Sequence, residues 1–215
     1  TGEVTVDSPE NIATLEMLGQ FWKEDLVSDA LEWTDPWYAE LGVLEPPIIG
    51  TLIEASWMDI FLKSWIAPGT AGKWGVAYMP AYGKGGARAS NDGGSVFVIP
   101  AQTKNPEAAW AFVEFCLGRR QSQLKMFAIS GLIPSLETTY DDALFLEGDT
   151  FFAGQNTRKI YADVVAKIAR GTVYGPNYNL MNGAVSVAIQ RYATGGATAE
   201  EALKAAAAEI RAAIE

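Results

Sequence analysis

Histidine is absent from this chain of 215 residues, and cysteine occurs once, at Cys116. The first absence removes Ser-His-Asp and Cys-His catalysis, histidine-based zinc sites and any imidazole proton shuttle. The second removes an intrachain disulfide and a cysteine zinc cage, and leaves Cys116 as a small core hydrophobe on a helix face. Basic residues are also scarce. Sixteen Lys and Arg stand against 26 Asp and Glu, a formal charge of -10, with no basic cluster to neutralise phosphates. That argues against nucleic acid as a partner and is met by the ordinary role of net charge in solubility. No apolar run approaches the roughly 18–20 residues that span a bilayer. Thr1-Gly2-Glu3 has neither the basic nor the apolar part of a signal peptide. The expectation is a cytoplasmic start, or one downstream of a removed leader. Neither a metal nor a cofactor is expected.

What is present is a globular composition, 49% hydrophobic and 20% charged. Its sharpest local signal runs from Asn91 to Leu117, NDGGSVFVIPAQTKNPEAAWAFVEFCL. A glycine turn leads into an apolar strand, Ser95 to Ile99, closed by Pro100. Asn105 then suits an N-cap, Pro106 the first helical position and Glu107 the positive end of the macrodipole. Ala109, Val113, Cys116 and Leu117 fall on one helical face, and Gly118 supplies a stop.

Elsewhere, Ser8-Pro9 opens a helix with an apolar stripe of Ile12, Leu15, Leu18, Trp22 and Leu26. Thr34-Asp35-Pro36 favours a turn or helix start, which puts Trp33 at a loop edge and Trp37 inside a short helix. Further strands are expected at Ile48 to Ile53 and Lys73 to Pro80, with a short helix through Phe61, Leu62 and Trp65 between them. Tyr82 to Gly94 reads as a glycine-rich, polar loop, flexible or ligand-facing. Phe145, Phe151 and Phe152 anchor a surface connection, Tyr161 to Ile168 marks a helix stopping at Gly171, and Val173 to Asn179 reads as a Tyr/Asn loop. Met181 to Tyr192 is expected as a helix. The last helix carries a capping box, Thr198 with Glu201, and an apolar face of Leu203, Ala207, Ile210 and Ile214.

No acidic pair carries a catalytic signature. Asp141-Asp142 and Glu200-Glu201 are explained by helix starts or exposure. Gly83-Lys84-Gly85-Gly86 lacks the spacing of a phosphate loop. Gly93-Gly94-Ser95 is either a tight turn or a close backbone approach to a polar ligand. The aromatics say more, with seven Trp and eight Tyr. Trp22 and Trp110 hold helical apolar positions and read as core. Trp33, Trp57, Tyr174 and Tyr178 lie in loops or at strand ends beside Asp, Glu, Ser and Asn. Flat π faces beside hydrogen-bonding groups suit a pyranose, with generic packing as the rival.

The runs GTLIEASWMDIFLKSW, GKWGVAYMP, DGGSVFVIPAQTKNPEAAWAFVEF, SGLIPS and GGATAEEALKAAAAEI, in this order, resemble the family 1 extracellular solute-binding proteins, the sugar-binding components of bacterial ABC importers. The resemblance implies an α/β, two-lobed, periplasmic-binding-protein-like (type II) fold that closes on a sugar by hinge bending. It implies that residues 1–94 form a first part of the C-terminal lobe, 95–135 cross to the N-terminal lobe, and 136–215 return. Trp57 matches a sugar-stacking position, Gly93, Gly94 and Ser95 the crossing near the cleft, and Tyr174 to Asn182 a cleft-facing region. Asn182 stands where the maltose-binding proteins place a second stacking Trp. The expected ligand contacts are therefore Trp57, Trp33, Glu54, Gly93, Gly94, Ser95, Tyr174, Tyr178 and Asn182. The expected protein is not an enzyme, and its partners are a sugar, a second chain carrying the N-terminal portion, and membrane permease subunits. It would lie in an extracellular or periplasmic position, with a lipid anchor as one arrangement. The alternatives are a glycan-acting enzyme and a binding protein for a solute such as a glycerol phosphate, for which Arg88 and Lys84 are the nearest candidates.

Overall fold

The computed structural model describes residues 3–43, 48–91, 93–168 and 174–214. Leu44 to Pro47 in the GVLEPP segment, Asp92, Gly171 and Val173, all of which enter the sequence expectations, lie outside the described residues. The chain divides into two compact units, Thr1–Asp29 with Val173–Glu215, and Ala30–Thr172.

The first unit packs three helices, α1 (Pro9–Lys23), α8 (Tyr178–Ala193) and α9 (Ala199–Ile214). Helix α1 starts as expected, with Ser8 Oγ accepting from the Asn11 N–H at 3.3 Å and Pro9 in the first turn. It ends at Lys23, so Leu26 leaves the stripe and is exposed, while Leu15 is buried. In α9 the Thr198 N–H donates to Glu201 Oε2 at 2.9 Å and the Glu201 N–H donates to Thr198 Oγ1 at 3.2 Å, which closes the capping box. Ala202, Leu203, Ala206, Ala207 and Ile210 are all buried on this helix. Alanine at these positions lets α8 and α9 approach closely, with Ala184 and Ala188 of α8 and Leu15 of α1 filling the seam. Arg211 holds the segment before α1 through two bonds to Asp7, at 2.8 and 3.1 Å, and one to the Val4 carbonyl at 2.9 Å.

The second unit contains α2 (Asp35–Gly42), α3 (Met58–Phe61), α4 (Pro106–Val113), α5 (Arg120–Ser130), α6 (Ala143–Leu146) and α7 (Thr157–Lys167). Both α3 and α4 widen into a π-helical turn, at Leu62–Ile66 and Glu114–Gly118. Its core is Trp37, Leu41, Met58, Leu62, Ile66, Ala67, Phe151 and Phe152, so Phe151 and Phe152 anchor their connection as the sequence implies. Phe145, the third anchor, stacks on Phe127 of α5 at 4.7 Å and 11°.

The expected strands are the main departure. Among the described residues no β-ladder forms, and only an isolated bridge joins Asp149 and Gln155. An extended segment becomes a strand only where a neighbour answers its N–H and C=O groups. From Lys73 to Pro80, Trp74, Val76 and Tyr78 do alternate inward with period two. Their neighbour is a side chain. The Gln155 amide accepts from the Val76 N–H and donates to the Val76 carbonyl, both at 2.7 Å. Ser95 to Ile99 has no such partner among the described residues, and Val96 and Val98 are 81% and 76% exposed.

The helix that follows starts at Pro106 with Asn105 as N-cap, although the Asn105 side chain makes no capping bond. Ala109, Val113, Cys116 and Leu117 are its half-buried face, as the spacing predicts. Trp110, expected in the core, is instead 61% exposed, and Phe112 and Phe115 are exposed beside it. Tyr178, expected in a loop, belongs to α8, which begins three residues earlier than the periodicity of Met181 to Tyr192 suggests.

Candidate functional site

The site is a cleft of about 510 Å³ within the second unit. Its lining comes from the segment before α3, the extended residues around Tyr78, residues 88–91 and 93–95, the α5 to Pro134 region and α7. Of the expected contacts, Glu54, Trp57, Gly93, Gly94 and Ser95 all line it. Most of the remaining lining is apolar, including Met79, Phe97, Leu132, Ile160 and Val164. Ser90, Asn91, Ser135 and Arg88 add polar points to it.

Trp57 sits just before α3, half-buried. Its position is set from three sides. Trp33 stacks on it at 5.7 Å and 24°, and Phe61, one turn along, meets it edge-on at 5.7 Å. Gly131, the left-handed C-cap of α5 at φ 71°, packs its Cα against the Trp57 backbone, where an added Cβ would lie 3.5 Å from the Trp57 Cα. Trp33 itself does not line the cleft. It lies at a bend with φ 63°, a conformation that costs a bulky residue about 1–3 kcal/mol unless its surroundings impose it. Those surroundings are Trp37 at 5.5 Å, Phe61 at 5.6 Å and Trp57.

The glycine turn opposite has a conformational cause. Gly93 and Gly94 hold φ 85° and 135°, where a side chain is strained, and no atom stands within 4 Å of either position a Cβ would take. Asn91 Nδ2 donates to the Gly93 carbonyl at 3.2 Å and so orients the turn. Arg88 Nε donates to the Met79 carbonyl at 2.9 Å, with its guanidinium 5.6 Å over the Tyr78 ring. The Tyr78 hydroxyl donates to Asp163 Oδ2 of α7 at 2.6 Å. The paired Lys167 ammonium, first, and then this hydroxyl hold the Asp163 carboxyl below its usual range.

Behind the cleft lies a buried charge cluster. The Tyr161 hydroxyl donates to Asp59 Oδ1 at 2.6 Å, and burial raises Asp59 to about 6 against that bond and the nearby Lys63 charge. Burial first, and the Asp59 charge second, push the Tyr161 phenol up as well. Lys63 pairs with Asp149, whose Oδ2 also lies 3.7 Å from Arg158. Gln123, buried on α5, donates to Ser135 Oγ at 3.1 Å and accepts from the Leu136 N–H at 3.1 Å, which fixes the loop that lines the far wall. Glu54 and Glu137 are the two carboxylates in the lining, and no metal-binding cluster exists among the described residues.

Tyr174, Tyr178 and Asn182 belong to the other unit and are exposed there, with Tyr174 and Tyr178 meeting edge-on at 4.6 Å. Lys84 is exposed and does not line the cleft, whereas Arg88 does. Ser90 and Asn91 fall in the loop Tyr82 to Gly94, for which facing a ligand was one reading, whereas Tyr78, which also lines the cleft, was not among the expected contacts. The period-two alternation of Trp74, Val76 and Tyr78 was the signal that could have turned Tyr78 inward.

The cleft is lined by Trp57 and by the glycine pair Gly93 and Gly94, and known proteins are similar to the chain that carries it. Residues 52–153 match the family of bacterial extracellular solute-binding proteins. A solved extracellular solute-binding protein family 1 structure superposes at a TM-score of 0.71 with 19% identity, covering 97% of this chain and 51% of its own. The ABC transporter associated binding protein of B. animalis subsp. lactis, solved in complex with beta-1,6-galactobiose, superposes at 0.72 with 20% identity, covering 97% of this chain and 52% of its own. The superpositions show that the chain shares the fold of these solved solute-binding proteins. The arabinooligosaccharide-binding protein of Halalkalibacterium halodurans is 27% identical over 76% of this chain and 37% of that protein. Its counterpart in Bacillus subtilis is 24% identical over 62% of this chain and 30% of that protein. The chain spans about a third of these curated relatives and about half of the solved structures.

Proposed function

We propose that this chain contributes to a protein that binds a short oligosaccharide in an interlobe cleft and hands it, unchanged, to an ABC permease in the membrane. The observation that carries this is that Trp57 lines one cleft together with Glu54, Ser90, Asn91 and Ser95. A pyranose or furanose has an apolar face for the ring and hydroxyls for the polar groups. The relatives named for arabinooligosaccharides and the neighbour holding a galactobiose support a sugar. The protein acts outside the cytoplasm, held near its permease by a lipid anchor or free in a periplasm.

The lobes are proposed as residues 1–94 and 136–215 in one and 95–135 crossing to the other. Further polypeptide of the same binding protein, on this chain or on a second one, covers the apolar face of Val96, Val98, Trp110, Phe112 and Phe115. Tyr174, Tyr178 and Asn182 remain proposed contacts. A solute such as a glycerol phosphate is the second reading, because Arg88 borders the cleft.

Titration of the completed protein by tryptophan fluorescence and calorimetry against beta-1,6-galactobiose, arabino-oligosaccharides and glycerol 3-phosphate tests these readings. Saturable binding of a sugar, recovered intact, is expected, and Trp57→Ala abolishes it. Hydrolysed sugar would favour an enzyme, binding of glycerol phosphate alone would favour the second reading, and unchanged affinity in Trp57→Ala would move the site elsewhere.

A further inference from the structure

We propose that Trp33 is a positioning residue, which sets the plane of the Trp57 ring from behind and leaves Trp57 as the ring that meets the sugar. The inference rests on the sugar-binding reading above and adds how the platform is built.

The geometry separates the two tryptophans. A sugar held between two parallel rings needs about 7–8 Å between them, twice an ordinary carbon contact distance. The centroids of Trp33 and Trp57 are 5.7 Å apart and their planes differ by 24°, so the rings contact each other and nothing fits between them. Trp57 lines the cleft and Trp33 does not. The pair is therefore a single backed platform that takes one face of one sugar unit. A second stacking subsite at Trp33 is not part of it.

The local chain explains how Trp33 comes to stand there. Asp35-Pro36 starts α2 with Thr34 as N-cap, and Thr34 Oγ1 turns back to the Leu31 carbonyl. The bend this produces leaves Trp33 at φ 63°. Contacts with Trp37, which is buried, and with Phe61, which meets Trp33 and Trp57 alike, hold the indole in place. Rotation of Trp57 about its side-chain bonds is thus opposed by a ring that is itself anchored in the core of the unit.

Two stacked indoles couple their transitions, so the pair should give an exciton couplet in far-ultraviolet circular dichroism. Trp33 touches both Trp57 and Trp37, so in the complete binding protein Trp33→Gly, which tolerates the positive φ, should remove the couplet, Trp57→Ala should weaken it, and Trp65→Phe should keep it. Trp33→Gly should weaken beta-1,6-galactobiose and an arabinotriose by the same factor, about three- to tenfold, and Trp33→Phe should restore most of the affinity. A couplet that survives Trp33→Gly, an unchanged affinity, or a loss that grows with sugar length would each overturn the proposal. If Trp33→Gly does not fold, a Trp33→Phe variant that binds no better than a Trp33→Leu variant would overturn it equally. Failure of the parent protein to bind either sugar would bring down the functional reading and this proposal together. Binding by the parent with no effect at Trp33 would remove this proposal alone.

Discussion

At the scale of single residues, Asp59 and Gly131 each hold the Trp57 region from a different side. Asp59 is a carboxylate kept in a mostly buried place, and its value rises from 3.8 to about 6. Between those values the folded protein keeps a proton that the unfolded chain has released, so stability falls as pH climbs from about 4 to about 6 and stays low above it. Asp59→Asn removes the charge and keeps an acceptor for the Tyr161 hydroxyl. It should raise stability at pH 7 by about 2 kcal/mol and should flatten that slope, read as unfolding midpoints of both proteins across pH 4 to 7. A slope shared unchanged by the variant would assign it to other groups. Gly131 has φ 71° at the end of α5. Gly131→Ala should cost about 1 kcal/mol in denaturant unfolding, because the left-handed φ strains a side chain while the added methyl stands at ordinary contact distance from Trp57. Neither effect was readable from residue type alone. Asp59 stood in the sequence as one scattered acid among several, and only its neighbours made it a buried one.

Helix starts, by contrast, are local chemistry. Ser8-Pro9, Asn105-Pro106 and Thr198 to Glu201 each begin a helix where the sequence implies, because a cap and its first turn lie within a few residues of one another. Thr198→Ala should therefore destabilise the first unit by about 1 kcal/mol, seen as a lower midpoint and faster amide exchange in the first turn of α9. An unchanged midpoint would mean that packing of Leu203 and Ile210 alone holds the helix start. The extended segments behave differently. Lys73 to Pro80 shows its period of two and still takes its backbone partner from Gln155, about eighty positions away, which no window of the sequence contains. Met181 to Tyr192 was legible as a helix, but its first turn, with Tyr178, was hidden by Gly175-Pro176-Asn177, whose turn signal extends into it.

For the whole molecule, the informative surface is the apolar one around Ser95 to Phe115. Phe97 and Phe112 lie flat on each other at 6.2 Å and 4°, and Val96, Val98 and Trp110 stand more than half exposed beside them. Contiguous apolar surface of this kind marks an interaction face. The chain alone should self-associate as its concentration rises, and Val98→Lys with Phe112→Lys should suppress that association in sedimentation velocity. The same pair of substitutions should prevent the polypeptide that completes the fold from rescuing sugar binding. A parent chain that stays monomeric at high concentration would show that this face needs no cover.

The helix starts and the half-buried face of α4 were decided by residues close together in the chain, where spacing and capping act. Composition alone excluded histidine and disulfide chemistry, and the class of fold was legible through a resemblance that runs along the chain. The role of Trp33 was decided elsewhere. The sequence placed it at a loop edge beside acids, equally suited to touching a sugar or to packing. Its ring lies against Trp57, twenty-four positions on, because two separate turns deliver both indoles to one core containing Trp37 and Phe61. Contacts between distant positions depend on how elements pack, and packing is a property of the folded chain that no local pattern encodes.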